Sequence, residues 1–206
     1  MNATSGTKQY GLATRDVFLD TEVFKRHSLN FESSNLKQLK HSCLKRITTL
    51  HITDITKKEI QKYIEEKVEE TFNKIGSAKA SIKFCADRGG NVSPDMVVAA
   101  RSGEVSDKMY EHFLEQLCQI SAKTHTAINL QATDIFSKYF DKKAPFTEQK
   151  KFEFPDAFVI SALEQWCTEM NRTMYVVSSD EGMLQAARES LHLIPVNDLA
   201  EIHQKV

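Results

Sequence analysis

Apolar residues along the chain fall into short runs of β type separated by longer stretches of three-four spacing, the pattern of strands alternating with amphipathic helices. Asp16-Val17-Phe18-Leu19-Asp20 and Leu50-His51-Ile52-Thr53 are the first two strand signals, and Met174-Tyr175-Val176-Val177-Ser178 and Leu193-Ile194-Pro195-Val196 are the last two. Ile60, Tyr63, Ile64, Val68, Phe72 and Ile75 predict a helix over about residues 57–75, with Gly76 as its stop. Further helices are expected at about 107–120, 132–140 and 181–190, with a short one at the end. Another begins at Pro155-Asp156 and buries Val159, Ala162, Leu163, Trp166 and Met170. Its proline falls in the first turn, where the missing N–H costs nothing. Residues 1–14 read as a mobile polar tail, and 77–106 as a loop-rich insertion in which Met96–Ala100 is of undecided type. Strands separated by helices predict a three-layer α/β/α sandwich around a central, mostly parallel sheet, in one domain over residues 15–206.

Composition narrows the function classes. With 206 residues, 41% hydrophobic and 27% charged, the chain can bury a core without disulfides or a structural metal. Cys43, Cys85, Cys118 and Cys167 form no C-x-x-C pair, so neither a zinc knuckle nor a disulfide framework is expected, and reduced, mostly buried thiols are. No run approaches a membrane span and the first residues have no apolar signal region, so a cytoplasmic protein without a membrane partner is expected. The formal charge of −1 gives the whole molecule no pull on polyanions. A local patch can still supply it: residues 25–46 carry Lys37, Lys40, Lys45 and Arg46 among other bases, with Glu32 as their one acid.

In a parallel sheet, ligands bind outside the carboxyl ends of the strands, which directs attention to acids placed just after strands or at helix starts. Asp20 and Asp180 follow strands, while Glu59 and Asp156 open helices. Each has a structural reading as well. Thr56-x-x-Glu59 and Ser178-x-x-Glu181 match capping boxes, Asp180 can cap its helix, and Asp156 suits the helix dipole. Glu153 and Glu181 read as solvated or capping acids. Asp20 has no capping role unless a turn follows. Four carboxylates gathered at ~5 Å would repel by about 3 kcal/mol per pair at an effective dielectric of 20, so a shared pocket needs a cation or retained protons. An all-oxygen cluster suits Mg²⁺ or Mn²⁺.

The order Asp20-Thr-x-Val-Phe, Glu59 in TKKEI, Pro155-Asp156-Ala, and Val-Val-Ser178-x-Asp180 resembles the PIN-domain nucleases over roughly residues 15–196, and APFTEQKKFEFPDAFVISAL with VVSSDEGM is similar to a bacterial subgroup of PIN-like proteins. The resemblance implies a single-strand-specific endoribonuclease using Mg²⁺ or Mn²⁺. Asp20, Glu59, Asp156 and Asp180 would be its catalytic, metal-holding acids, and Ser178 a residue that positions ligands. Glu22 departs from the pattern, since the family commonly has Asn there. Small PIN proteins of bacteria also look like toxins restrained by an antitoxin or another regulatory protein, or like effectors in phage defence, and oligomers occur.

On this reading RNA phosphates would meet Lys37, Lys40, Lys45 and Arg46, with Lys142, Lys143, Lys150 and Lys151 as a second group, and the alternative is a solvated basic face. The seven histidines are scattered singly, which speaks against a paired-imidazole ribonuclease, and Gly89-Gly90 lacks the setting of a phosphate loop. Two rivals stay open. One is a phosphatase of the haloacid-dehalogenase type, suggested by the acid pair in FLDTEVF. The other is a degenerate PIN fold that binds RNA or protein without catalysis.

Overall fold

The structure is a computed structural model that describes residues 11–86, 101–127, 130–146 and 153–206. It divides into two compact units, residues 1–57 with 117–206 and residues 58–116. The first unit holds the sheet: β1 (Asp16–Leu19), β2 (Thr49–Thr53), β3 (Lys123–His125), β4 (Met174–Val177) and β5 (Leu193–Val196), in the order β3-β2-β1-β4-β5. Every pairing is parallel. Helices α1 (Thr21–Arg26), α2 (Ser34–Leu44), α5 (Ala132–Phe140), α6 (Phe154–Met170), α7 (Glu181–Glu189) and α8 (Leu199–His203) complete this unit. The architecture is the expected α/β/α fold with an all-parallel sheet.

Side chains alternate across a strand, and both faces of the central strands β1 and β4 are buried. Phe18 and Val176 face α6 and α7, where they join Val159, Ile160, Leu163, Cys167, Met183 and Ala187 in one apolar cluster. The alternate positions Val17, Leu19, Leu50, Ile52 and Val177 are fully buried on the other side. Such two-sided burial explains why the strands read as continuous apolar runs. Strand β3 was not legible from its residues. Lys-Thr-His lacks any β-type apolar signal, and only pairing with β2 defines it.

Helix α3 runs Asp54–Ala86 and passes through Gly76, so that glycine does not stop it. Glycine costs a helix only about 1 kcal/mol, and the i, i+4 pairs Lys62–Glu66 and Lys74–Glu70 help hold the surrounding turns. The helix also starts a turn earlier than expected. Thr53 Oγ1 accepts the Thr56 backbone N–H at 3.0 Å, which makes Thr53 the cap and places Thr56 and Glu59 inside the helix rather than in a capping box. The second unit comprises the rest of α3 and most of α4 (Ser102–Gln119). Within it Ile60, Ile64, Val68 and Phe113 are buried. The tail residues 1–10, the Met96–Ala100 run, Gly89-Gly90 and Lys150-Lys151 lie outside the described residues.

Candidate functional site

The strand order puts β1 and β4 side by side, with their chains leaving in opposite directions, β1 toward β2 and β4 toward β5. That reversal opens a crevice at the carboxyl edge between them. Four strands carry an acid at this edge: Asp20 after β1, Asp54 after β2, Asp180 after β4 and Asp198 after β5. The outer two have structural duties. Asp54 ties β2 to β3 by accepting from Ile55 N at 2.9 Å, Ala127 N at 3.3 Å and Thr126 Oγ1 at 3.0 Å. Asp198 caps α8 through Ala200 N at 2.8 Å. The central two, Asp20 and Asp180, flank the crevice.

A turn does follow Asp20, since it precedes α1, yet its side chain makes no cap hydrogen bond. Instead its Oδ2 accepts from Ser178 Oγ at 2.6 Å. Ser178 is fully buried, and its Oγ also accepts the Asp180 backbone N–H at 2.9 Å. One hydroxyl therefore fixes both acid-bearing turns. Asp180 does cap α7, accepting Met183 N at 3.1 Å through Oδ1. Glu181 does not complete a capping box with Ser178, because its carboxylate pairs with Arg188. A Cβ at Gly182 would stand 3.0 Å from Asp180 Oδ1 and 3.2 Å from the Pro145 carbonyl oxygen. The absent side chain lets the Pro145 turn close onto α7 beside Asp180, three residues after Lys142, while Lys143 pairs with Asp141 at 3.1 Å.

Asp156, in the first turn of α6, joins the pair from the side. Burial raises its pKa, a hydrogen bond with Glu153 raises it further, and the charges of Asp20, Glu153 and Asp180 add to the effect, so that the group is pushed up to about 8. At neutral pH it keeps its proton. Glu153, read from sequence as solvated or capping, makes no cap hydrogen bond and engages Asp156 instead. The signal for this pairing was present, because residues three apart at a helix start share a face. The structure thus brings Asp20, Glu153, Asp156, Ser178 and Asp180 together. Glu59 lies partly buried on α3 in the second unit. Among the described residues no group of three or more His, Cys, Asp or Glu side chains stands at metal-holding geometry. The donor chemistry nonetheless suits a hard cation. These are oxygen ligands only, and the retained proton on Asp156 marks negative charge that a divalent ion would neutralise.

The expected basic patch is divided. Lys37 and Lys40 each pair with Glu32 at 3.1 Å. Lys45 and Arg46 follow α2 and precede β2, which places them at the amino edge of the sheet, opposite the acids.

The histidines are not all single. His51 Nε2 lies 2.8 Å from Oδ1 of the fully buried Asp16, and His51 Nδ1 lies 2.7 Å from His125 Nε2. Trp166 packs on both rings, and Arg172 reaches Asp16 Oδ2 at 2.7 Å. Burial alone would raise the Asp16 pKa, but His51, Arg172 and Lys123 outweigh it and hold the carboxyl below its usual value. Burial pushes His51 down, and takes His125 down to about 4. Both rings are then neutral, so His51 donates Nε2–H to Asp16 and accepts His125 Nε2–H at Nδ1. Sequence spacing could not find this chain, because the pairing lies across strand register: His51 is opposite Phe18, and His125 opposite Thr53. It locks the apolar-poor strand β3 to the core.

A family model described as the PIN domain matches residues 17–183. No curated protein and no solved structure matches the chain significantly. No described helix is long and apolar enough to cross a membrane.

Proposed function

Because this chain belongs to the PIN-domain family, whose members are generally nucleases, we propose that it is a metal-dependent endoribonuclease that hydrolyses phosphodiester bonds of single-stranded RNA. One observation carries the reading: Asp156 is held protonated by burial and by the gathered charge of Glu153, Asp20 and Asp180. Acids gathered closely enough to hold a neighbour's proton repel one another once ionised, and a bound cation would remove that repulsion.

Asp20, Asp156 and Asp180 would hold Mg²⁺ or Mn²⁺, with Glu153 as the fourth carboxylate of the same unit. Such an ion supplies Lewis-acid stabilisation of the phosphoryl oxygens and a lowered pKa for the attacking water. The chain's own residues do the rest. Ser178 orients Asp20 by donating to Oδ2, and its hold on the Asp180 backbone keeps the two acid turns in register. The hydrogen bond between Glu153 and Asp156 keeps both carboxyls at the pocket, where one of them would take a proton from the attacking water. Lys142 and Lys143, beside the Pro145 turn, would meet the substrate's phosphates. A toxin or defence role, an antitoxin partner and a cytoplasmic location belong to this proposal on the strength of the sequence resemblance alone.

The test is cleavage of labelled single-stranded RNA in Mn²⁺ or Mg²⁺, with and without chelator, by the wild type and by Asp20→Asn. Chelator-sensitive cleavage that falls to background in the variant is expected. Equal cleavage by both proteins, or none by the wild type in either metal, refutes the proposal. The second outcome would favour a binding module without catalysis.

A further inference from the structure

The sheet is polarised. While acids follow its strands, cations precede three of them: Arg15 stands before β1, Lys45 and Arg46 before β2, and Arg172 before β4. Backbone bonds between these starts, Thr49 N to Arg15 O at 2.8 Å and Met174 N to His192 O at 2.9 Å, show that they form one edge. Neighbouring strands lie about 4.8 Å apart, and each residue of β1 rises about 3.3 Å, so this row of cations runs along the sheet about 16 Å from Asp20.

The row contains a cleft of about 440 Å³, lined by Arg15, Asn171, Arg172, His192, Thr14 and Thr173 among others. Its anchor is built rather than incidental. Asp16, 1% exposed, grips Arg172 through Oδ2, while 44% of the arginine side chain stays open to solvent. Asp16 is itself fixed by His51 and, behind it, His125. A buried carboxylate that pins one nitrogen of a guanidinium leaves the rest of its donor fork oriented and available, the arrangement that suits phosphate oxygens. Beside it, Arg15 and Arg46 are paired with no acid among the described residues. Uncompensated cations along one edge, around a preorganised guanidinium, call for an anionic ligand extended in one dimension.

We infer that the amino edge of the sheet, centred on Arg15 and Arg172, is a binding surface for the phosphodiester backbone of single-stranded RNA, separate from the acid pocket. The inference rests on the proposal that the chain acts on RNA. Strand segments away from the bond to be cut would lie here, so that substrate length, beyond the nucleotides at the crevice, contributes to affinity.

Binding of the full chain to fluorescein-labelled single-stranded RNA, followed by anisotropy in chelator so that no cleavage occurs, tests this edge. The double variant Arg15→Gln/Arg46→Gln removes two exposed charges that pair with no acid among the described residues, and an unchanged thermal midpoint confirms its fold. Affinity should fall about tenfold at low salt, and the salt dependence of log K should flatten by about 0.7 for each lost contact. Unchanged affinity and slope overturn the site. A mononucleotide that displaces RNA equally well per phosphate, or polyglutamate that does so per charge, overturns the assignment to a polynucleotide, the latter in favour of an acidic protein. Cleavage assays separate the two proposals. Metal-dependent cleavage combined with wild-type binding by the double variant removes the edge and leaves the nuclease. Edge-dependent binding without any cleavage does the reverse.

Discussion

Replacing Asp156 by Asn should make the metal-free protein more stable and functionally inert. Asparagine keeps the shape of the carboxyl and offers an N–H to Glu153 where the protonated acid offers an O–H, so it mimics the neutral form permanently. The pKa of Asp156 rises from 3.8 to about 8 on folding. A group raised in this way favours the folded state fully below about pH 4, and that contribution is lost as pH climbs through 8. At about 1.36 kcal/mol per unit, ionising Asp156 in the folded chain costs at most about 6 kcal/mol. Relaxation of the neighbouring acids and partial access to water reduce this to about 2–4 kcal/mol. For a chain of this size that is about 5–15 °C in the unfolding midpoint. Thermal scans of wild type and variant from pH 4.5 to 8.5 should therefore coincide at the acid end and diverge upward, with the variant the more stable near pH 8. Taking the difference between the two proteins cancels the histidines, which titrate alike in both. Adding Mn²⁺ should raise the wild-type midpoint, because a cation that binds only the folded state stabilises it, and should raise the variant's far less. A variant that is no more stable at pH 8, or that gains as much from Mn²⁺ as the wild type, would refute the idea that gathered charge holds the Asp156 proton.

Two further outcomes check other parts of the structure. Gly182→Ala would ordinarily stabilise a helix start by up to about 1 kcal/mol, but here the new methyl meets Asp180 Oδ1 and the Pro145 carbonyl, so chemical denaturation should show a loss of about 1–3 kcal/mol together with weaker Mn²⁺ binding. A gain in stability would show that the Pro145 turn does not close on α7. His51→Ala leaves Asp16 and His125 without their shared partner and should cost about 2–5 kcal/mol, while the Mn²⁺-induced shift of the remaining folded protein persists. Because burial holds the His51 imidazole below its usual pKa, its contribution is present above about pH 6.5 and is lost as pH falls through that lowered value, so the wild type should lose more stability than the variant on acidification. Parallel pH profiles would contradict the assignment of neutral rings.

Much of the fold was legible because it depends on periodicity, which is local. Two-sided burial writes itself into β1 and β4 as unbroken apolar runs, and α6 shows its core face at three-four spacing as far as Trp166, although Met170, also expected to be buried, is exposed in the last turn. The acids at the ends of β1 and β4 could be named for the same reason, since a strand followed by a turn fixes the edge at which its last residue emerges. Other features escaped. Helix α3 continues through Gly76 because a glycine penalty of about 1 kcal/mol is small against a long helix, and no residue near it announces otherwise. Strand β3 has no apolar signal at all and exists through its pairing with β2 and the His51–His125 bond.

The sequence by itself settled the alternation of strands and helices and the parallel sheet, and it nominated Asp20, Glu59, Asp156 and Asp180 as candidate acids, because spacing along the chain dictates which face and which edge a residue occupies. Only the tertiary structure decided which acids have structural duties and which accumulate charge. Asp54 and Asp198 are consumed by backbone donors, Ser178 bridges Asp20 and Asp180, and Glu153 hydrogen-bonds with Asp156. Register and helix placement also assembled Asp16, His51, His125 and Arg172, which stand far apart in the chain. Electrostatic coupling falls with distance in space and is indifferent to separation in sequence, so no reading of one residue at a time could have found these groupings.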